Sequence, residues 1–186
     1  SMLWPDGLKK AVTFSYDDGV MQDLRLTALF RRYGLKATFN LNSGFFGQID
    51  SSLQKGREID HSHVPEEDVA CVYAGFECAV HTAHHPWLTQ LSAVNAAEEI
   101  LADRAAIEAV IKQPVRGMAY PFGAVNAQVK DVVHACGIVY ARGTGVTGDT
   151  SLPEDAYDWS CSCHHSALEP LIEPFLSDDR RLALLS

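Results

Sequence analysis

An α/β fold built on a parallel sheet, either open or closed into a barrel, is the architecture this sequence predicts. Short apolar runs recur along the 186 residues and alternate with segments of helical spacing. Two of those helical segments stop at glycine, Gly34 and Gly137, the residue that most readily takes the left-handed turn closing a helix. The residues with chemistry to offer, Asp17-Asp18, His81 with His85, Tyr120 to Gly123 and Asp158, all stand just after predicted strands. Sheets of this kind place their sites at that end.

Taken in order, residues 10–16 form an apolar strand pattern that stops at Asp17-Asp18-Gly19. Residues 21–33 carry Leu24, Leu26, Leu29 and Phe30 at helical spacing and end at Gly34. Residues 36–42 predict the next strand. The polar stretch 43–65, with Gly44, Gly47 and Gly56, predicts a long loop of the kind that borders functional sites. A short helix over 66–73 precedes a strand at 76–80 that delivers the histidines. Residues 92–111, rich in alanine and glutamate, form the clearest helix. A strand at 115–120, a turn at Pro121-Phe122-Gly123, a helix over 127–136 and a strand at 138–141 follow. The glycine-rich 143–148 lacks the lysine of a phosphate loop and predicts a flexible connection. A helix over 166–176 and a strand at 181–185 finish the chain.

Length and composition set the bounds. Hydrophobic residues at 47% and charged residues at 21% are ordinary for a globular protein, and the length suits a single domain spanning residues 1–186. The net charge of −9 argues against nucleic acid or an anionic membrane as partner. The five cysteines, an odd and scattered set, predict free thiols rather than a disulfide framework. Neither a signal peptide nor a membrane-length apolar run is visible, which predicts a cytoplasmic protein. Ser1-Met2 has the look of an expression remnant, so a trimmed export signal stays open.

Asp18, His81 and His85 are the candidate metal ligands. Two imidazoles four apart converge on one ion when the residues between them make a turn. Together with one carboxylate they leave positions on a divalent cation for water and substrate, and Asp17 is then placed to act as a general base. Alone, Asp-Asp-Gly reads as a turn and His-x-x-x-His as surface or packing. Their joint occurrence after separate strands selects metal-assisted hydrolysis. The donor set suits zinc, cobalt, nickel or iron.

Tyr16-Asp17-Asp18-Gly19, His81-Thr82-x-x-His85, Tyr120-Pro121-Phe122-Gly123 and Asp155-Ala156-Tyr157-Asp158-Trp159, in that order, resemble the motifs of the polysaccharide deacetylases, the NodB-homology group or carbohydrate esterase family four. The resemblance runs from about Val12 to the C-terminus. It implies a distorted (β/α) barrel of the seven-stranded deacetylase type and metal-dependent removal of N- or O-acetyl groups from a carbohydrate. Carried over, Asp18, His81 and His85 would hold the metal and Asp17 would take the proton from water. The Phe122 backbone N–H would help stabilise the oxyanion, and Asp158 would join the catalytic set.

The chain departs from that family pattern twice. The arginine expected in the third motif is replaced by Ala119, and Arg116, three residues earlier, would face the other side of a strand. The acid histidine of the last motif is absent, because the chain ends at Ser186 where that motif would begin, so the last barrel segment is expected to be missing. His164 and His165 are the remaining candidates for general acid. An uncovered sheet edge would then favour a homo-oligomer. Tyr120, Trp87 and Trp159 are the candidate substrate contacts, the tryptophans either stacking on a sugar face or packing inward. His84 is expected to support the site without binding metal or to face solvent. Cys161-x-Cys163-His164-His165 is too tightly spaced for a zinc finger and reads as core or loop. His61 and His63 are solvated or carried towards substrate by the long loop. Two other functions stay open: hydrolysis of a small non-sugar amide or cyclic imide, and a catalytically weak metal- or carbohydrate-binding protein.

Overall fold

In the computed structural model, residues 4–177 and 183–185 are described; Ser1-Met2, Arg181 and Ser186 lie outside them. In chain order the elements are β1 (Lys10–Val12), β2 (Ser15–Asp18), α1 (Asp23–Tyr33), β3 (Thr38–Leu41), β4 (Ser51–Gln54), β5 (Arg57–Asp60) and α2 (Glu66–Val72). There follow β6 (Glu77–Val80), α3 (Ala93–Ile111), β7 (Gly117–Ala119), α4 (Ala127–Ala135), β8 (Tyr140–Val146), β9 (Trp159–Cys161), α5 (Glu169–Ser177) and β10 (Ala183–Leu185). Six strands form one parallel sheet in the order β2-β3-β6-β7-β8-β9. β1 pairs separately with β10, and β4 with β5 makes an antiparallel hairpin.

The sheet is curled into a half-barrel. In the strand order β2 and β8 stand four places apart, which in a flat sheet is about 19 Å. Yet Arg142 on β8 hydrogen-bonds both Ser15 and Asp17 on β2. An arginine side chain spans far less than that gap, so the strands between must roll the two edges towards each other. The curl also needs room inside: Gly117 on β7 pairs with Tyr140 on β8, and a Cβ at Gly117 would collide with the Tyr140 hydroxyl.

Caps and apolar spacing explain the helices. Ser92 Oγ accepts the Asn95 N–H at 3.2 Å to start α3, and Asn126 Oδ1 accepts the Val129 N–H at 2.9 Å to start α4. Gly34 closes α1 at φ 66°. Lys112 closes α3 in the same left-handed conformation, at φ 57° and without glycine's freedom. Inward faces of the helices meet the sheet over Phe39, Leu41, Val69, Ile100, Ile107, Met118, Val133 and Ile138, all buried. Among the described residues no helix is long and apolar enough to cross a membrane.

Four expectations need correction. Residues 10–16 are two strands, because the chain changes partner at Thr13-Phe14, from β10 to β3. The stretch 43–65 contains the β4–β5 hairpin, turned at Lys55-Gly56 with both residues left-handed. Its strands are mostly polar and largely exposed, with one apolar residue each, Leu53 and Ile59, so they carry no apolar period to be read. The glycines of 143–148 belong partly to β8, which runs on to Val146 against β9; a Cβ at Gly145 would come within 3.1 Å of Ser160 Oγ. β9 itself lies in the stretch 149–165, for which the sequence predicted no element.

Asp23, at the start of α1, is buried, and its Oδ2 accepts the Tyr73 hydroxyl at 2.8 Å. Burial pushes its pKa up to about 7; the Tyr73 bond opposes this, while the charges of Asp18 and Asp17 add to it. Burial likewise raises Asp103 on α3 to about 7. A carboxyl raised in the folded state keeps a proton the unfolded chain releases near pH 4, so its contribution falls as pH rises from about 4 to about 7.

Two outcomes follow. Lys112→Gly is expected to stabilise the protein by about 1 kcal/mol in urea unfolding, since glycine takes the left-handed cap without strain. With a chelator present, Asp23→Asn is expected to flatten the decline in stability between pH 4.5 and 7.5 relative to wild type; parallel curves would show that Asp23 does not titrate in that window.

Candidate active site

Parallel register levels the carboxyl ends of the strands. Asp18 pairs with Leu41, Leu41 with Val80 and Val80 with Met118, so the residues that follow these strands meet at one mouth of the half-barrel. Asp17 and Asp18 end β2, His81 follows β6, and His85 lies one turn further on. The backbone here is strained: Asp18 (φ 78°), Thr82 (φ 66°), His85 (φ 53°) and Phe122 (φ 58°) are all left-handed without being glycine. Each such residue costs roughly 1–3 kcal/mol, and such strain collects where a site needs side chains aimed inward.

Asp18, His81 and His85 converge. His81 Nε2 lies 3.6 Å and His85 Nε2 3.8 Å from Asp18 Oδ1, and one ligand atom from each residue falls within 4.8 Å of the others. His81 Nδ1 is 2.7 Å from the Ala119 carbonyl oxygen. A carbonyl only accepts, so Nδ1 carries the proton and the Nε2 lone pair is aimed at Asp18. Burial, together with the facing His81, holds the His85 pKa below its ordinary value and favours the neutral ring. One carboxylate oxygen and two imidazole nitrogens at this spacing fit a divalent cation with coordination positions to spare.

Asp17 is held beside this cluster by two side chains, which a third fixes in place. Asn40 Nδ2 donates to its Oδ1 at 2.9 Å, and Arg142 Nη2 donates to the same oxygen. Ser15 Oγ accepts Arg142 Nε at 2.9 Å and Asn40 Nδ2 at 2.8 Å, which fixes both donors. Burial alone would raise the Asp17 pKa; the nearby His81 ring, the Arg142 guanidinium and the Arg142 and Asn40 bonds outweigh it, and the carboxyl stays below the usual range. The sequence reading missed Arg142. It looked for an arginine at 119 or 116, and Arg116 only reaches the Gly137 carbonyl at 3.5 Å. An arginine immediately after the next predicted strand, 138–141, was the available signal, and only the curl of the sheet makes it reach.

The remaining candidates separate. Phe122 stacks on Trp87 with ring centroids 4.2 Å apart and planes 5° apart, and meets His85 edge-on at 4.5 Å. Both aromatics are open to solvent, Trp87 at 45% and Phe122 at 48%. Tyr120 is corrected: it is 1% exposed and its hydroxyl donates to the Tyr157 carbonyl at 2.8 Å, so it belongs to the core and offers substrate no face. Trp159, His164 and His165 line a cavity of about 480 Å³ that also takes in Asp17 and Arg142. His165 packs against Tyr16 at 5.8 Å and His164 accepts from Ser166 N–H. Asp158 pairs with Lys130 at 2.7 Å, as Asp155 does at 2.9 Å, and no contact among the described residues joins it to Asp17. His84 binds Glu99 through its N–H and Nδ1. His63 packs on Phe45 in a segment pinned beside Gly19–Met21, so it borders the site rather than lying free in solvent.

The sequence profile of the polysaccharide deacetylases matches residues 5–141. No curated protein sequence matched. Among solved structures, the deacetylase PplD of Streptococcus pyogenes, in complex with acetate, superposes with a TM-score of 0.65 at 18% identity over 78% of this chain and 61% of its own. IcaB from Ammonifex degensii gives 0.69 at 17% identity over 88% and 72%. A family 4 carbohydrate esterase from Streptomyces lividans, in complex with acetate, gives 0.53 at 22% identity over 73% and 62%. These likenesses establish a shared deacetylase-type (β/α) fold. The chain spans 61% of the length of PplD.

The Asp17 carboxyl is expected to titrate below the ordinary aspartate value in carbon-detected NMR of metal-free protein. Arg142→Met is expected to raise it by roughly 1–2 pH units. An unmoved titration would mean that Arg142 does not set its charge.

Proposed function

The chain belongs to the polysaccharide deacetylase family, and on that premise we propose that it removes acetyl groups from an N- or O-acetylated carbohydrate, using a divalent cation held by Asp18, His81 and His85. The observation that carries the reading is the meeting of those three ligand atoms beside a carboxylate, Asp17, that its own neighbours keep ionised. Zinc suits the ligands best, and cobalt, nickel or iron suit them as well.

A divalent cation at this position supplies Lewis-acid polarisation of the acyl carbonyl and lowers the pKa of water at the site. Asp17 takes the proton of the attacking water. Both of its bonds among the described residues fall on Oδ1, which leaves Oδ2 for that proton. The Phe122 backbone N–H, on the turn after β7, is the proposed donor to the developing oxyanion. The open Trp87–Phe122 pair beside His85 offers an apolar platform for one face of a sugar ring. His164 or His165, across the cavity from Asp17, is the proposed proton donor to the leaving nitrogen or oxygen.

Bound metal and acetate release from a panel of acetylated sugars test the reading together. Wild type is expected to carry near-stoichiometric metal and to release acetate, and His81→Ala to lose both. Asp17→Asn is expected to keep its metal and lose at least about 100-fold in kcat. Metal without acetate release would redirect the search to another amide, and no metal in wild type would sink the reading.

A further inference from the structure

We propose that Asp103 is a positioning residue that holds the His81 peptide in the geometry metal binding needs. The proposal rests on the reading that His81 is a metal ligand. Asp103 lies on the inward stripe of α3, whose other buried positions are Ala96, Ile100 and Ile107. Helix-to-sheet packing calls for an apolar residue there. Instead a carboxylate sits at 0% exposure, with no cation paired to it among the described residues. A buried carboxylate is expensive unless its oxygens are satisfied.

What satisfies it is the backbone of the site. Asp103 Oδ2 accepts the His81 N–H at 3.0 Å, a proton shared with the Leu41 carbonyl at 3.0 Å. Its Oδ1 accepts the Ser43 N–H at 2.7 Å. Asn42, next to Ser43, donates from Nδ2 to the carbonyls of His81 at 2.7 Å and Thr82 at 2.8 Å. The His81 peptide is therefore gripped at its N–H by Asp103 and at its C=O by Asn42, while its ring is gripped by the Ala119 carbonyl. Asp103 ties both halves of the grip together through Ser43. It also steadies the turn on which left-handed Thr82 and His85 follow. Outer partners that orient a ligand typically matter 10–100-fold in metal affinity.

Asp103→Asn keeps the volume but turns an amide N–H towards one of two backbone donors. The test is competition titration of zinc, and of cobalt read by its visible spectrum, into metal-free protein. Asp103→Asn is expected to bind at least about tenfold more weakly, with altered cobalt bands. Val133→Ala, a buried α4 substitution away from the ligands, is expected to lower the melting temperature and leave metal affinity unchanged. Asp103→Asn binding within twofold of wild type would overturn the proposal while leaving the metal site standing. Absence of metal uptake by wild type would overturn the site itself and this role with it. Should Asp103→Asn not fold, amide exchange in wild type decides: His81 and Ser43 amides protected and slowed further by zinc support the role, and exchange unmoved by zinc overturns it.

Discussion

The reach of Arg142 across the half-barrel is the contact on which the architecture turns. The guanidinium leaves β8, crosses the interior and binds Ser15 and Asp17 on β2, at the sheet's other flank. It holds the curl, since only a rolled sheet brings those groups within hydrogen-bond distance. It also sets the electrostatics of Asp17, because a buried carboxyl without a cation would drift towards its neutral form. Tyr140, two residues earlier and on the same face of β8, fills the space above Gly117. Shape and charge in the barrel interior thus come from one strand.

Strain and buried charge at the mouth are held in place by a rigid floor. Phe39 packs its ring against Tyr16, Tyr73 and Phe76, and Phe30 contacts Phe14, Tyr16 and Phe76. Over that floor the chain bears four left-handed residues and two deeply buried carboxyls, Asp23 and Asp103. Folding by itself favours neither. Side chains aimed at one point require both: the left-handed residues gather at the end of β2 and on the loops after β6 and β7, and the buried carboxyls stand on α1 and α3.

Much of this was legible before any coordinates. The helices closing at Gly34 and over α3 and α4 follow from spacing and caps, and their bounds shift by only a residue or two. Asp18, His81 and His85 were identifiable because each follows an apolar run, and a parallel sheet brings such ends together. Tyr120 was misread for the same reason: the residue after β7 is at the right end of the sheet, but its side chain points into the core. The β4–β5 hairpin was invisible because each face of its strands carries only one apolar residue, Leu53 or Ile59, among polar ones.

By itself the sequence determined the principal helices, the parallel sheet and the end of it that carries the chemistry, because periodicity, capping and strand ends are local properties. Tertiary structure alone decided that Arg142 serves Asp17, that Asp103 and Asn42 grip His81, and that Phe122 stacks on Trp87. Those pairings join residues far apart in the chain through the curl of the sheet, and curl depends on how strands and helices pack together rather than on any local pattern.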